Sequence, residues 1–442
     1  MPGSGRLPVD DYVLFALWIM AIVRIFWPHP QLILASGIVL LTYVVLSFRR
    51  IRRQLQILSL LLALTAVALA GWLGAWAGLW QGMEKAVIFA AFFGTLTLMR
   101  ATADLRPEIG RARKLVEPLS AGARTSGLLV GTNVLGTALV VGVMPIFAPI
   151  VGQDAPYEVR KSAAEACQRG MCLACLWSPF WLAMAISTEH LPDVPLWQIM
   201  VLGLLLCALG LTVAQLMYTP DVGMRALWQA LRALSPVLPP VALATAAVLG
   251  LKAVTPLTTL QCLVVGIPVL CIGGLLSQSI DHLRRAVSQA AQGVGAVRGE
   301  IALLSCAFAL GKVLEQALQT GGVGDQITAL APPPVAVIAS VVIGMTVLGL
   351  AGIHQVVTVT VMLVLFGTLP IGVSDLALMQ AGLLGWAFSS MTGLSAVSVA
   401  AASTMFSVPL ERIAYGPNIR FVTLFGLLGI AVVTGVNWMI LQ

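Results

Sequence analysis

Two long apolar stretches of the chain, Gly127–Pro145 and Gly344–Pro370, are interrupted near their middles by glycines and by side chains that can hydrogen-bond. A polar group that is buried without a partner costs a few kcal/mol, so each needs a protein or ligand partner. Two broken stretches in corresponding positions indicate a transporter's binding site in the membrane. The residues concerned are Gly131, Thr132, Asn133, Gly136 and Thr137 in the first stretch, and Gly352, His354, Gln355, Thr358 and Thr360 in the second.

Two further apolar stretches each contain a polar break. Trp177-Ser178-Pro179 interrupts the stretch 171–189, where the proline removes one helical hydrogen bond. Ser389-Ser390-Met391-Thr392-Gly393 interrupts the stretch 376–407. Unwound helices expose carbonyls that can hold a cation and half-helix N-termini that can hold an anion. The alternative interpretation is a face of small residues that packs membrane helices together.

Charged and titratable side chains are rare inside the apolar stretches. His354 carries a ring whose unperturbed pKa, about 6.5, suits proton coupling. The alternative is a neutral histidine that is satisfied within its own stretch. Lys312 and Glu315 lie three residues apart, hence on one helix face. Intramembrane charges are candidates for function, and a buried ion pair that holds the helix against its neighbours is the open alternative.

The composition predicts a membrane protein. Of 442 residues, 59% are hydrophobic and 10% are charged, and the mean hydropathy is +0.97. Soluble domains have roughly 25% charged residues. The net charge of +7 does not indicate nucleic-acid binding, because Lys and Arg fall in short loops between apolar segments. Cys172 and Cys175 have no His or acidic companions, which favours helix packing over a metal site.

Apolar runs of about 20 residues are long enough to span a bilayer, and the chain predicts eleven such helices. Two stretches, about 120–152 and 333–370, are each long enough for two arms of about 12–18 residues, and we expect them to be re-entrant hairpins. The predicted spans are 12–27, 31–47, 55–79, 84–101, 171–189, 197–217, 237–254, 260–277, 300–318, 376–407 and 420–440.

Positive charges orient these helices. Arg49, Arg50, Arg52 and Arg53 follow the second span and place that loop inside. If each hairpin returns to the side from which it entered, every later arginine-rich loop is also inside. If either hairpin crossed the membrane fully, the later loops would change sides and the excess of Lys and Arg on the inside would be lost. We therefore expect a multi-pass protein of a bacterial-type inner membrane, with a cytoplasmic N-terminus and an outside C-terminus. The later inside loops hold Arg106, Arg111, Arg113, Lys114, Arg160, Lys161, Arg169, Arg225, Arg232, Arg284, Arg285, Arg298, Arg412 and Arg420.

The order and orientation of the segments predict two inverted-topology repeats. Residues 1–30 are an extra N-terminal helix, residues 31–220 the first repeat, and residues 221–442 the second. In each repeat a helix pair and a span precede the hairpin, and a broken helix and a last span follow it. The repeats begin on opposite sides of the membrane.

This pattern resembles the ion transporter superfamily, and within it the divalent anion/sodium symporter family. The resemblance rests on the eleven spans, on two hairpins of opposite entry and on Gly131-Thr132-Asn133, a partial match to the family's Ser-Asn-Thr; Gly352-Ile353-His354-Gln355 departs from that motif. It implies an elevator mechanism in a homodimer, with a scaffold and a moving domain of two hairpins and two broken helices. Arsenite permeases, sodium/proton antiporters and membrane subunits of tripartite transporters share the scaffold.

We therefore expect a secondary active transporter of a small, carboxylate-type organic anion. A cation/proton antiporter or an inorganic-anion permease is the alternative, and an enzyme is not expected because the spans show no clustered nucleophile, base or metal ligands. We expect no cofactor or metal site apart from Na+ or H+ as the coupling ion. The expected partners are the lipid bilayer, the substrate and a second copy, and not nucleic acid. The predicted substrate ligands are Thr132, Asn133, Gly136, Thr137, Ser178, His354, Gln355, Thr358, Ser389, Ser390 and Thr392, and the predicted ion-coupling residues are Asn133, His354, Ser390 and Gly393.

Reporter fusions test the predicted orientation. Alkaline phosphatase needs disulfides that form only outside the cytoplasm, so we expect it to be active when fused after Gln442 and inactive when fused after Arg285. Green fluorescent protein fused at the same two positions is the control and should give the reverse pattern. An active phosphatase after Arg285 would contradict the orientation.

Overall fold

The computed structural model describes residues 8–106, 114, 116–117, 120–320 and 322–442. Every regular element in this part of the chain is a helix, as expected in a bilayer, where a helix satisfies its own backbone hydrogen bonds. Ten helical stretches there are long and apolar enough to cross a membrane, by length and composition. The prediction of an all-α, polytopic membrane protein is confirmed.

The helices divide into two compact units. The first comprises the described residues of 1–105 and 250–326. Its longest helix, Trp76–Asp104, packs against the helices Val9–Phe26, Thr259–Leu276 and Arg298–Thr320. The helices of this unit are α1 (Val9–Phe26), α2 (Pro30–Ser47), α3 (Arg53–Leu73), α4 (Trp76–Asp104), α11 (Thr259–Leu276), α12 (Ile280–Gly293) and α13 (Arg298–Thr320), with α10 (Leu238–Val254) and the short α14 (Val323–Ala329) at its chain boundaries.

The first predicted span, α1, carries buried charges. Asp10 accepts hydrogen bonds from Arg50 and Arg298, and Asp11 accepts one from Arg298. Both carboxylates are almost fully buried, and a buried charge is tolerated only when it is paired. The network fixes the start of α1 to α13, and α1 is not among the ten stretches that qualify as spans by composition.

The second unit comprises the described residues of 106–249 and 327–442. Both predicted hairpins and both predicted broken helices lie in it. Its helices are α5 (Ala121–Leu139), α6 (Tyr157–Ala174), α7 (Leu182–His190), α8 (Leu196–Tyr218), α9 (Gly223–Leu234), α15 (Pro334–Leu350), α16 (Gln355–Gly367), α17 (Asp375–Thr392), α18 (Val397–Phe406), α19 (Leu410–Ala414) and α20 (Asn418–Leu441).

The first hairpin turns later in the chain than its glycines predict. α5 continues through Gly131 and ends at Leu139, and the chain reverses at Val140, where φ is 51°. The short helical turns that follow pack back so closely that a Cβ on Gly131 would lie 2.6 Å from the Phe147 ring. The predicted tip around Gly131 is therefore wrong, because this glycine allows close packing and not a turn.

The second hairpin turns where the sequence predicts. α15 ends at Leu350, α16 begins at Gln355, and Gly352 lies between them at φ 90°, a conformation that favours glycine. The two arms have 17 and 13 residues, fewer than the roughly 20 that a full crossing requires.

Both predicted helix breaks are present. α6 ends at Ala174 and α7 begins at Leu182, so Ser178-Pro179 lies in the first gap. α17 ends at Thr392, so the serine cluster occupies its last turn and the second gap starts at Gly393. The prediction that the cluster itself is unwound is wrong.

The helix before the first break starts earlier than predicted. The hydropathy pattern predicts a span from residue 171, but α6 begins at Tyr157. Arg169, assigned to a cytoplasmic loop by charge counting, lies within α6 and is only 2% exposed. The assignment of Arg169 to a loop is wrong, because its guanidinium lies in the interior, where it contacts Asn418 and the Tyr218 ring.

Helix packing between α5 and α6 can be tested at Gly170. A Cβ there would lie 2.0 Å from the Leu129 carbonyl oxygen, so Gly170→Ala must push the helices apart. We expect a loss of about 1–3 kcal/mol of stability, measured as a lower midpoint of thermal unfolding in detergent. Gly435→Ala is the control, because no atom lies within 4 Å of its Cβ position. Equal midpoints for the two variants would contradict this packing.

Candidate functional site

Four of the predicted threonine ligands donate hydrogen bonds within their own helices. These bonds use the hydroxyl protons but leave each oxygen able to accept or to coordinate a cation. The bonds are Thr132 to the Leu128 carbonyl (2.7 Å), Thr137 to Val134 (2.7 Å), Thr358 to Gln355 (3.2 Å) and Thr392 to Phe388 (2.9 Å).

Asn133 joins the first hairpin to the first broken helix. Its Nδ2 donates to the Gly170 carbonyl at 2.9 Å and to the Cys207 Sγ at 3.3 Å. The side chain thus connects α5 to α6 and α8 in the interior, since Asn133 is 5% exposed. This contact gives Asn133 a structural role within α5, away from the turn of the hairpin.

The end of α5 is bonded directly to the first break. The Ser178 hydroxyl donates to the Thr137 carbonyl at 2.8 Å, and the Trp181 Nε1 donates to the Gly136 carbonyl at 2.9 Å. Ser178 also accepts from the Phe180 backbone N–H at 3.2 Å. The structure therefore brings together the predicted ligands Gly136, Thr137 and Ser178.

At the turn of the second hairpin, His354 caps α16. Its Nδ1 accepts from the Val356 backbone N–H at 3.3 Å, which requires an unprotonated Nδ1. The end of α15 packs on α17 so tightly that a Cβ on Gly349 would lie 2.2 Å from the Ser389 Oγ. The second turn and the second break are thus direct neighbours.

Three helices, α6, α17 and α18, meet at the Ser390 carbonyl in the last turn before the second break. Gln168 on α6 donates to it from Nε2 at 2.8 Å, and Ser398 on α18 donates from its hydroxyl at 2.7 Å. From the other side, Gln380 on α17 donates to the Leu176 carbonyl in the first break at 3.4 Å. Gln168 therefore bonds the helix that precedes the second break, and Gln380 bonds the first break.

Several buried oxygens on these segments have no hydrogen-bond partner among the described residues. Leaving such a group unpaired costs about 1–3 kcal/mol, so buried oxygens of this kind are candidates for contact with a ligand. The atoms are Gln168 Oε1, Gln355 Oε1, Thr360 Oγ1, Gln380 Oε1, Ser389 Oγ and Ser395 Oγ.

The helices after the two breaks begin without side-chain caps. The residue before α7, Trp181, and the residue before α18, Ala396, make no capping hydrogen bond from their side chains. The first N–H groups of such a helix attract an anion. At α18 this end lies next to the unpartnered Ser395 hydroxyl.

The predicted charged pair lies in the first unit, apart from these contacts. Lys312 Nζ and Glu315 Oε2 are 2.6 Å apart, and both side chains are less than a third exposed. The spacing correctly predicts the ion pair.

Sequence reasoning missed Gln168, Gln380 and Arg169. The Arg169 guanidinium stacks 3.8 Å above the Tyr218 ring and donates to the Asn418 Oδ1 at 2.7 Å. The available signal was the polar run of residues 165–169 directly before an apolar stretch, which is typical of a helix with a buried polar face.

The described helices, with two short-armed turns and two interrupted helices in the second unit, define an all-α polytopic membrane protein. The crystal structure of the YdaH transporter of Alcanivorax borkumensis, described as having an unusual topology, is similar with a TM-score of 0.59 and 14% identity, over 86% of this chain and 99% of that one. A sequence identity of 14% supports a similar fold and nothing further about this chain. No protein-family model and no curated protein matches the chain. The narrower resemblance to the divalent anion/sodium symporters stays a prediction.

A pair of variants separates structural contacts from ligand contacts. Asn133→Ala removes the link from α5 to α6 and should lower stability by about 1 kcal/mol, measured as the midpoint of thermal unfolding. Ser389→Ala removes a hydroxyl oxygen without a partner among the described residues, so it should leave the midpoint unchanged or raise it. A destabilised Ser389→Ala beside an unchanged Asn133→Ala would refute both assignments.

Proposed function

We propose that the protein is a secondary active transporter of a small organic anion, coupled to Na+ or H+. The observation that carries this proposal is the meeting of α6, α17 and α18 at the Ser390 carbonyl, together with side-chain oxygens on these segments that lack partners among the described residues. A soluble ligand that enters here replaces missing hydrogen bonds and leaves again without breaking the helical framework.

The oxygens without partners are the best candidates for the coupling ion. The Ser390 carbonyl already accepts two hydrogen bonds, which fill both of its lone pairs. Ser389 Oγ, Gln168 Oε1 and Gln355 Oε1 remain available, and hard cations such as Na+ are bound by oxygen ligands of this kind. This revises the expected ion ligands from Ser390 to its neighbours.

The anion is proposed to bind at the start of α18. That helix lacks a side-chain cap, and a helix N-terminus stabilises negative charge. Arg169 is the buried arginine on α6, but its guanidinium is held by Asn418 and Tyr218. A helix end without a bidentate arginine suits a monoanion better than a tricarboxylate.

An elevator movement fits the division of the chain into units. Both hairpins and both broken helices belong to the second unit, which would carry the ligand while the first unit acts as the scaffold. The proposed homodimer would form through the scaffold, as the resemblance to the symporters implies.

A proton/cation antiporter is the second candidate, favoured by one buried carboxylate. Glu165 is 4% exposed and lies one helical turn before Gln168, with the Lys161 Nζ 3.7 Å from its Oε1. A buried carboxylate near the breaks is what proton exchange needs. Glu315, the candidate from the sequence, is paired with Lys312.

Transport in proteoliposomes tests the site. After a screen of small carboxylates identifies a transported anion, Ser389→Ala and Gln355→Leu should each reduce uptake at least roughly tenfold, the effect of losing one ligand worth about 1.4 kcal/mol. Ser340→Ala is the control, because that hydroxyl on α15 is satisfied by the Val337 carbonyl. Uptake that is normal in both site variants would overturn the assignment.

Variants of His354 test proton coupling. Protonation of Nδ1 would break the cap on α16, so coupling through this ring would move the second turn. His354→Asn keeps a good helix cap without a titrating group and should flatten the dependence of uptake on pH that protonation of this ring produces. His354→Ala, which also loses the cap, is the comparison. An unchanged pH profile in His354→Asn would exclude this role.

A further inference from the structure

A pocket of about 500 Å³ lies in the second unit, where α6, α19 and the start of α20 meet. The site proposed for transport does not include these residues. Charge counting places its basic residues on the cytoplasmic side of the membrane. The lining residues are Lys161, Glu411, Arg412, Tyr415, Gly416, Pro417 and Arg420.

The pocket lining is mainly cationic. Three of its side chains are basic and Glu411 is the acidic one. Lys161 lies 3.7 Å from Glu165, whereas Arg412 and Arg420 form no ion pair with any residue that the structure describes. Two unpaired guanidiniums at one cavity favour an anionic occupant, and arginine is the residue that best matches phosphate geometry.

Hydrogen bonds from Arg169 and Tyr218 hold the start of α20, which forms one wall of the pocket. Asn418, the first residue of that helix, accepts from the buried Arg169 at 2.7 Å. The Tyr218 hydroxyl donates to the carbonyl of Pro417, a lining residue. The start of the 24-residue helix α20 therefore has a fixed position beside the pocket, which lowers the entropy cost of binding.

An exposed apolar stripe on α20 leads away from the pocket. Leu424, Leu427 and Leu428 follow Arg420 by four, seven and eight residues, which places them on the same helix face as Arg420. They are 44%, 64% and 38% exposed. In a helix long enough to span the membrane, this stripe faces lipid tails.

We propose that the pocket binds the phosphate headgroup of an acidic phospholipid whose acyl chains lie along this leucine stripe. Basic pockets beside cytoplasmic ends of membrane helices suit such headgroups. Free phosphate offers the same headgroup chemistry to Arg412 and Arg420, but it makes no use of the stripe, and the stripe favours the lipid.

The test uses the purified full chain in detergent. The midpoint of thermal unfolding is followed while phosphatidylglycerol, phosphatidylcholine with the same chains, or inorganic phosphate is added. We expect a saturable rise with phosphatidylglycerol and little with the other two. In Arg412→Gln/Arg420→Gln the half-saturating concentration of phosphatidylglycerol should rise roughly tenfold or more, and Leu427→Gln should also raise it.

Arg284→Gln/Arg285→Gln is the matched control, because it removes the same charge from exposed residues of α12. It should leave the half-saturating concentration unchanged. An equal rise in both double variants would mean unspecific attraction and would overturn the proposal. A saturable shift with inorganic phosphate that Arg412→Gln/Arg420→Gln abolishes would instead identify a free-anion site and reject the lipid. Lys161→Gln provides a second variant if the double variant unfolds without lipid.

Discussion

Where a helix is interrupted inside a membrane, its freed backbone N–H and C=O groups must find hydrogen-bond partners other than water. The arrangement of helices in the second unit depends on the side chains that supply these partners. Polar groups in hydrocarbon cost several kcal/mol when unpaired. The chain meets this constraint with side chains that are distant in sequence: Gln168 donates to the Ser390 carbonyl and Gln380 to the Leu176 carbonyl. The two breaks are therefore stabilised by each other, and neither is expected to hold its form alone.

This reciprocal arrangement determines which atoms are left for a ligand. Because the amide N–H groups of Gln168 and Gln380 are used on the breaks, their Oε1 atoms remain buried without partners among the described residues. The same occurs at Ser389, whose Oγ faces the tight approach of Gly349. The glutamine donors hold the framework while their acceptor oxygens have no partner among the described residues. This arrangement is the basis of the proposed cation site, and the uncapped start of α18 is the basis of the proposed anion site.

The sequence correctly predicts the first break at Ser178-Pro179 and the second turn at Gly352, because proline and positive-φ glycine act locally. It places the second break a few residues too early, since Ser389 to Thr392 remain helical. It places the first turn wrongly, since a glycine such as Gly131 in an apolar run has two uses in a membrane. It can break a helix, or it can admit a neighbour such as the Phe147 ring. The sequence pattern around Gly131 does not distinguish these two uses. They differ in how close the glycine lies to a residue on the returning arm of the hairpin, and the sequence does not show that distance. Gln168 was missed for the related reason that its partner lies 222 residues away.

The same limit applies to the positive charges from which we predict the orientation of the chain. Counting positive charges treats every Lys and Arg as a solvated loop residue. Arg169, however, is buried and stacks on the Tyr218 ring, and Arg160 donates to the carbonyls of Phe406 and Ser407 at the end of α18. A guanidinium that satisfies a helix C-terminus is selected by that contact as well as by topology. Arg412 and Arg420 form no ion pair in the described part of the chain. They are therefore better indicators of the predicted orientation than Arg160 and Arg169, which have structural contacts. The free charge of Arg412 and Arg420 is also what makes their pocket suited to an acidic headgroup.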